Sequence, residues 1–363
     1  MKITPAKPNR SEISKMEKLN NSLLFKDNFH LLAEIGVNHE GNIETAKKLF
    51  EQAKTAGCLS VKLQAYKADS LVTKFAKAYW DTSKEKIKSQ IELFQKYDSF
   101  NIDDYVNLSN YAHSLGLQFG LSIFDPSWIA LLIDHVDYFK VASADITFLP
   151  LLEEISKFNK PVILSTGAST LLEIGTAIET VTKYGNEDIS LLHCILNYPT
   201  QLGDSNLNFL TKLRFLFPRY RIGLSDHVAE MQIERFVIAR ALGATIVEKH
   251  FTNDKELRGN DHYHSGNVED FIKIIESVSR ADELLGTGQE IMECEIPARE
   301  GARRSIVYAT DLKIGQKITK DNLLFKRPGM GISPTEYPKI LGRELMKDVC
   351  ADMMVDASDF DTN

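Results

Sequence analysis

Eight short β-rich segments alternate with longer segments of helical periodicity between residues 30 and 285, and this alternation constrains the fold most strongly. The helical segments carry apolar residues at spacings of three and four and end on glycine, as in IETAKKLFEQAKTAG. The β-rich segments are LLAEIGV (31–37), LSVKLQ (59–64), LQFGLSIF (117–124), YFKVAS (138–143), PVILST (161–166), ISLLHCI (189–195), RIGLSD (221–226) and TIVEKHF (245–251). Eight strand–helix units predict an α/β fold of the (β/α)8 TIM-barrel type. An open doubly wound sheet is the alternative, but its glycine-rich phosphate fingerprint is absent after the first strand.

The pattern changes after about residue 288, where short strand-like pieces are broken by glycine and proline. We therefore predict four segments along the chain. A polar N-terminal extension occupies 1–28, the barrel 29–287, an exposed linker 288–302, and a small β-rich domain 303–363.

Composition excludes several classes of protein. The 43 Lys+Arg and 50 Asp+Glu give a formal net charge of −7, which argues against a strongly basic nucleic-acid-binding protein. No apolar run approaches the roughly 20 residues that span a bilayer. The four cysteines are far apart and form no CxxC pair, which favours a reducing compartment. Because residues 1–28 lack the apolar core of a secretory signal, we expect a cytoplasmic protein.

Polar residues lie where the strands of a buried parallel barrel should be apolar. They occur late in a strand or directly after it: Glu34, Lys62, Gln64, Ser122, Lys140, Ser143, Ser165, Ser225, Asp226, His227, Glu248, Lys249 and His250. In a TIM barrel, this end of the strands forms the catalytic face. The alternation of side chains brings Lys62 and Lys140 to one mouth with the serines, which predicts a site for a small anion with carboxylate and phosphate groups. The alternative is that each lysine pairs with Glu34 or Glu248.

Histidines form a second group of candidate site residues. His227 and His250 end neighbouring strands, and with Glu248 beside them they predict an exchangeable catalytic Mn²⁺ or Mg²⁺. Lys249 falls on the opposite strand face, so we expect it to be structural. In the later segment GNDHYHSG, we expect His262 and His264 to lie in a solvated loop. Asp261 of this segment is expected to bind a substrate hydroxyl.

Several longer motifs resemble a known family. They are AEIGVNHEGN, VKLQ, FKVASADITFLPLL, KPVILSTGAST, LLHCILNYPT, IGLSDH, EKHFT and RRSIVYATDLKIGQKITKDNLLFKRPGMGISP. In this order they closely resemble the sialic acid synthases, which make N-acetylneuraminate, legionaminate and pseudaminate. The resemblance covers about residues 30–350, and its last part is similar to the antifreeze-like (SAF) domain of these enzymes.

The resemblance implies a condensation of phosphoenolpyruvate with an open-chain N-acetylated amino sugar, releasing phosphate. It implies a divalent metal held by His227 and His250, with Mn²⁺ preferred over Mg²⁺ or Co²⁺. It also implies that Lys62 binds the carboxylate and that Glu34 transfers a proton or orders the attacking water. The phosphate would be surrounded by Lys140, Ser122, Ser143, Ser165 and Ser225. Glu248 remains a catalytic candidate beside the metal.

The same resemblance assigns the sugar side of the site. Gln64, Asp145, Tyr198 and Asp261 match sugar-contacting positions. Arg327 in KRPGMG matches an arginine that enters the partner subunit's barrel and contacts the N-acetyl group, which implies a domain-swapped homodimer. The acceptor stays open among N-acetylmannosamine, its 6-phosphate and the diacetamido-dideoxy hexoses.

Two other functions are compatible with parts of this pattern. The synthases of 3-deoxyoctulosonate and 3-deoxyheptulosonate phosphates also use phosphoenolpyruvate, but they lack a C-terminal domain of this kind. A non-catalytic sugar-binding relative is favoured only by the changed loop after Asp261 and by Leu196, which replaces a usual Asn or Ser.

Overall fold

The computed structural model describes residues 29–83, 85–259 and 261–361, so the extension predicted at 1–28 lies outside the described residues. The chain divides into two compact units between Leu285 and Gly286. Within the described ranges, no helix combines the length and the apolar character needed to cross a membrane.

The first unit is a closed parallel barrel in which each strand pairs with the next and the eighth pairs with the first. Its strands are β1 (His30–Gly36), β2 (Ser60–Ala65), β3 (Gln118–Ile123), β4 (Tyr138–Val141), β5 (Val162–Ser165), β6 (Ile189–Cys194), β7 (Arg221–Asp226) and β8 (Ile246–His250). The predicted α/β fold of the (β/α)8 type is therefore confirmed.

Helices connect the strands and cover the outside of the barrel. They are α1 (Ile43–Thr55), α2 (Ala68–Leu71), α3 (Gln90–Tyr97), α4 (Ile102–Ser114), α5 (Ile129–Leu132), α6 (Leu149–Ser156), α7 (Leu171–Thr182), α8 (Asn208–Leu216), α9 (Glu234–Ala241) and α10 (Val268–Leu285). Local capping fixes where several begin. The Asn42 side chain accepts a hydrogen bond from the Thr45 N–H at α1, and Thr170 and Glu173 cap each other's backbone at α7.

An apolar layer fills the interior of the barrel below the carboxyl ends of the strands. It consists of Leu32, Tyr138, Ile163, Leu192 and Ile246, all fully buried. Because side chains alternate along a strand, the next interior residues on these five strands lie one layer closer to the mouth. Those residues are Glu34, Lys140, Ser165, Cys194 and Glu248. The apolar layer is thus the floor of a polar site.

The second unit has its own small core. β9 (Ser305–Tyr308) pairs antiparallel with β10 (Leu323–Lys326), and the unit also contains α11 (Ile296–Ala302) and α12 (Tyr337–Ile340). Its buried residues are Ile306, Tyr308, Leu312, Ile318, Leu323, Ile340, Leu345, Val349, Val355 and Phe360. The residues predicted as a linker are exposed and end in α11, a helix that we did not predict.

Candidate active site

Lys62 and Glu34 face each other because the register of β1 and β2 places them side by side. The Lys62 Nζ lies 2.7 Å from the Glu34 Oε2 and donates a hydrogen bond to the Ser122 Oγ at 2.9 Å. The Gln64 Nε2 donates to the Glu34 Oε1 at 2.9 Å. Both charged side chains are buried, at 3% and 1% exposure.

Lys140 and Glu248 form a second buried pair across the barrel interior. The Lys140 Nζ lies 3.5 Å from the Glu248 Oε1, which also accepts a hydrogen bond from the Ser225 Oγ at 2.8 Å. Both lysines are therefore paired with acids, which is the alternative that the sequence left open. Their pairing nevertheless leaves both of them on the wall of one cavity.

This first cavity has a volume of about 340 Å³ and lies at the carboxyl ends of the strands. Its lining includes the predicted site residues Glu34, Lys62, Gln64, Ser122, Lys140, Ser143, Ser165, Tyr198, Ser225, His227, Glu248 and His250. Within the described chain, the Ser165 Oγ and the Glu248 Oε2 are buried and have no hydrogen-bond partner. Burying a polar atom without a hydrogen-bond partner is unfavourable. A ligand bound in this cavity could supply the missing hydrogen bonds.

The two acids of this cavity have opposite pKa shifts. Burial raises the pKa of Glu34, and nearby Glu248 adds to this effect although Lys62 opposes it. Burial would also raise the pKa of Glu248, but Lys140 and Lys62 outweigh it and hold the pKa below its ordinary value. Two carboxyl groups with pKa values pushed apart are suited to different roles, one holding a proton and one staying ionised.

His227 and His250 lie near each other at the mouth of the barrel. Their ring centres are 5.5 Å apart, and the Tyr198 ring lies 4.2 Å from the His227 ring. The Nδ1 of His227 donates a hydrogen bond to the Ile195 carbonyl at 3.0 Å. In the neutral imidazole, this bond leaves the Nε2 of His227 as the nitrogen with the free lone pair, which is the tautomer that a metal ligand requires.

The segment after β8 differs from our expectation of a solvated loop, which is wrong for both of its histidines. His262 and His264 are buried, and the His262 Nδ1 is bonded to the Thr252 Oγ1 at 2.7 Å. His264 instead lies beside His250, with their ring centres 4.7 Å apart. His250, Asp261 and His264 each offer one possible metal-binding atom, and these three atoms lie within 4.8 Å of one another. His264 is thus a site residue that the sequence analysis missed.

Lys249 and Asp226 lie on the outward strand faces, as expected for Lys249. The Lys249 Nζ binds the Asp226 Oδ2 at 2.7 Å and the Val228 carbonyl at 2.7 Å. Arg235 completes the cluster by donating to both carboxylate oxygens of Asp226. These buried charges hold the ends of β7 and β8 together behind the histidines.

A second cavity of about 720 Å³ adjoins the first and has six Phe, Tyr or Trp side chains on its wall. It is lined by Gln64, Tyr66, Leu71, Tyr79, Trp80, Phe94, Phe124, Ala142, Ser143, Ala144, Leu196, Tyr198, His250 and Asp261. Most of the aromatic residues come from the segment between β2 and α4, for which the sequence analysis made no prediction. Burial raises the pKa of Asp261, on its wall, to about 7.

Two predicted site residues, Asp145 and Arg327, line neither of the two cavities. Asp145 follows β4 and is half-buried, and burial raises its pKa to about 6. Arg327 follows β10 in the second unit and is exposed. The barrel unit thus brings together every predicted site residue except these two.

Comparisons with known proteins identify the family of the chain. The NeuB family matches residues 49–290, and the SAF domain matches residues 303–361. An N,N'-diacetyllegionaminic acid synthase of Legionella pneumophila is 36% identical over 88% of this chain and 91% of its own. An N-acetylneuraminate-9-phosphate synthase of Drosophila melanogaster is 30% identical over 90% and 94%.

A solved structure supports the same relationship. The N-acetylneuraminic acid synthetase of Leptospira borgpetersenii has a TM-score of 0.66 and 28% identity, covering 75% of this chain and 90% of that one. The family match spans more than half of the chain, and the relatives match across nearly their whole length. The resemblance read from the motifs is therefore confirmed, and the chain belongs to the NeuB family, with a SAF domain at its C-terminal end.

Proposed function

We propose that this chain condenses phosphoenolpyruvate with an open-chain N-acetylated amino sugar, giving a nonulosonic acid and phosphate. The observation that carries the proposal is the convergence of Lys62 and Lys140 with four serine hydroxyls on one cavity at the catalytic end of the barrel. Relatives named as synthases of legionaminic and N-acetylneuraminic acids support the same reaction class.

The first cavity would bind phosphoenolpyruvate. Lys62 would hold the carboxylate, and Lys140 with Ser122, Ser143, Ser165 and Ser225 would hold the phosphate. The unpartnered Ser165 hydroxyl supports this arrangement because it can donate to a phosphate oxygen. The raised pKa of Glu34 and the two lysines on the same cavity wall both favour a bound anion.

The reaction would begin when carbon 3 of phosphoenolpyruvate attacks the aldehyde carbon of the sugar. The carbonyl electron pair moves to the aldehyde oxygen, which takes a proton, and carbon 2 becomes an oxocarbenium-like centre. Water adds to carbon 2 and loses a proton. The bond from carbon 2 to the phosphate oxygen then breaks, leaving a keto acid and inorganic phosphate. Glu34, with its raised pKa, would transfer these protons or order the water.

The histidines fit a divalent cation such as Mn²⁺, which would supply Lewis-acid polarisation of the aldehyde when bound. The fit rests on the free lone pair of the His227 Nε2 and on the buried His250 Nδ1, which has no hydrogen-bond partner among the described residues. His227 and His250 would hold the ion, and the ionised Glu248 would stabilise its charge from the layer below.

The second cavity would bind the sugar. Gln64, Tyr198 and Asp261 on its wall would bind hydroxyl groups, and Asp145 would contact the sugar from the end of β4. Its lining contains seven aromatic or leucine side chains other than Tyr198, and none of its described lining residues is Lys or Arg. Such a wall favours a neutral acetamido sugar, N-acetylmannosamine or a diacetamido-dideoxy hexose, over a sugar phosphate.

Arg327 of the partner subunit would complete the sugar site by contacting the N-acetyl group. The active form would then be a domain-swapped homodimer in which each C-terminal domain serves the other barrel. The exposure of Arg327 on its own unit is consistent with this use.

A phosphate-release assay with each candidate sugar tests the proposal, with Mn²⁺ or with a chelator. We expect phosphate only when phosphoenolpyruvate, a neutral acetamido sugar and the metal are all present. The His250→Ala variant should keep the circular dichroism spectrum and lose phosphate release. Release with no sugar requirement would contradict the proposal, and phosphoenolpyruvate binding without release for every sugar would favour a non-catalytic protein.

A further inference from the structure

His264 is a third imidazole beside His227 and His250, and its side chain is completely buried. Its ring centre lies 4.7 Å from that of His250 and 6.2 Å from that of His227. Among the residues that the structure describes, neither ring nitrogen of His264 has a hydrogen-bond partner. Buried polar atoms without a partner are rare in native proteins and call for an unseen ligand, ion or water.

Asp261 lies between His250 and His264 and directs one carboxylate oxygen toward each. Its Oδ2 is 3.5 Å from the His250 Nδ1, and its Oδ1 is 3.7 Å from the His264 Nε2. Metal–ligand bonds of about 2.0–2.2 Å place neighbouring donor atoms about 3–3.5 Å apart. Small side-chain movements would therefore let all three groups bind one ion.

The backbone at the end of β1 keeps the space beside this cluster open. Gly36 has a positive φ of 54°, and a Cβ atom at this position would lie 3.0 Å from the Glu34 Oε1 and 3.3 Å from the Asp261 Oδ2. Any larger residue would press on both carboxylates.

We infer that His264 is a ligand of a divalent cation, together with His250 and Asp261. The inference rests on the proposed function in one respect, because the ion bound by His264 would be the ion that serves the reaction. Together with His227, which would hold the same ion, the site would then offer three imidazoles and a carboxylate, a set that suits Co²⁺ or Zn²⁺ better than Mg²⁺, which prefers oxygen ligands. The third imidazole therefore sets the site's preference for transition ions.

Metal titration of the full-length, metal-free protein without substrates tests this role. Calorimetry and the visible absorption of bound Co²⁺ would be compared for the wild type, His264→Ala and the control His262→Gln. We expect His264→Ala to weaken Co²⁺ binding at least tenfold, to change the Co²⁺ spectrum, and to alter Mg²⁺ binding less than twofold. His262→Gln should bind Co²⁺ within twofold of the wild type, because His262 is bonded to Thr252.

A crystal of the Co²⁺-loaded wild type provides a readout that needs no variant. The anomalous signal should lie within about 2.5 Å of a His264 nitrogen. An ion more than 4 Å from His264, or Co²⁺ affinity unchanged by His264→Ala, would overturn the inference. Because no turnover is measured, metal binding through His264 without synthase activity would reject only the proposed function.

Discussion

Buried charge is the main physical feature of the site at the scale of single residues. Glu34 and Glu248 lie in one cavity with Lys62 and Lys140, and no more than 5% of any of these residues is exposed. Removing water from charged groups is costly, and pairing offsets the cost only while both partners remain. The two pairs therefore hold the ammonium groups where the proposed anion would bind, and they make each partner sensitive to loss of the other.

We expect Lys62→Met to destabilise the barrel by about 3–5 kcal/mol, because Glu34 would lose the cation that lies 2.7 Å away. Adding Glu34→Gln should restore most of this stability, since neither residue would then be charged. Phosphate release should stay about a hundredfold or more below wild type in both variants. Urea unfolding and the phosphate assay check the two effects separately. A double variant no more stable than Lys62→Met would show that the pair is not the source of the loss.

His39 gives the barrel a pH-dependent stability. Burial lowers the pKa of His39 to about 4 although a backbone hydrogen bond opposes the shift. Its Nδ1 accepts a hydrogen bond from the Gly41 N–H at 3.0 Å, and its ring stacks on Phe100 at 4.4 Å. The unfolded chain takes up this proton near pH 6.5, whereas the folded chain does so only near pH 4.

The contribution of His39 to stability is therefore complete above about pH 6.5 and declines as the pH falls toward 4. By pH 5 we expect a loss of about 2 kcal/mol from this residue. Urea unfolding at pH 7 and pH 5 gives the fall in the free energy of unfolding between the two pH values. This fall should be about 2 kcal/mol smaller for the His39→Gln variant than for the wild type. Equal losses in the two proteins would contradict this assignment.

At the scale of elements, the two-residue period of the strands separates the floor of the barrel from its site. The same strand that supplies Leu32 to the floor supplies Glu34 to the cavity, and Tyr138 and Lys140 are related in the same way. Packing of the floor depends on glycine in the neighbouring strand. A Cβ at Gly120 would lie 2.2–2.6 Å from three atoms of the Tyr138 side chain.

Gly120→Ala should therefore destabilise the barrel by about 1–3 kcal/mol through overpacking against Tyr138. Gly175→Ala is the matched control, because Gly175 lies inside α7 and a Cβ there meets no atom within 4 Å. That change should stabilise the protein by about 0.5–1 kcal/mol. Thermal unfolding of the two variants makes the comparison. Equal melting temperatures would show that Tyr138 can move aside without cost.

The distinction between local and distant contacts of the strands and loops explains which parts of the fold and of the candidate site could be predicted from sequence. The eight strands and their polar ends follow from local periodicity, which is why Lys62, Lys140, His227 and His250 were predicted to share one mouth. The burial of His264 depends on contacts distant in sequence. Asn38 donates to the Ser265 Oγ at 3.0 Å and to the Phe251 carbonyl at 2.9 Å, which holds the segment after β8 against the loop after β1. Polarity alone predicted exposure there, because no local pattern encodes that contact.

At the scale of the whole molecule, the proposed reaction would depend on two units, each of which has its own core. The barrel supplies both cavities, whereas Arg327 belongs to the second unit. If Arg327 serves the barrel of the partner, a protomer with a defective barrel can still donate its arginine. The barrel of a protomer that lacks Arg327 would then be active whenever the partner carries Arg327. This dependence distinguishes action in trans from action within one chain.

A mixed dimer of Arg327→Ala and Lys140→Ala subunits tests this dependence. Co-expression with two different affinity tags and successive purification on both would isolate the mixed dimer, and phosphate release would be measured at sugar concentrations below KM. Each variant alone should have low activity, Lys140→Ala through loss of the phosphate contact and Arg327→Ala through a raised KM for the sugar. The mixed dimer contains one barrel with an intact Lys140 that receives an intact Arg327, so it should show about half of the wild-type activity per dimer. If Arg327 acts within its own chain, the mixed dimer has no complete site and stays at the level of the variants.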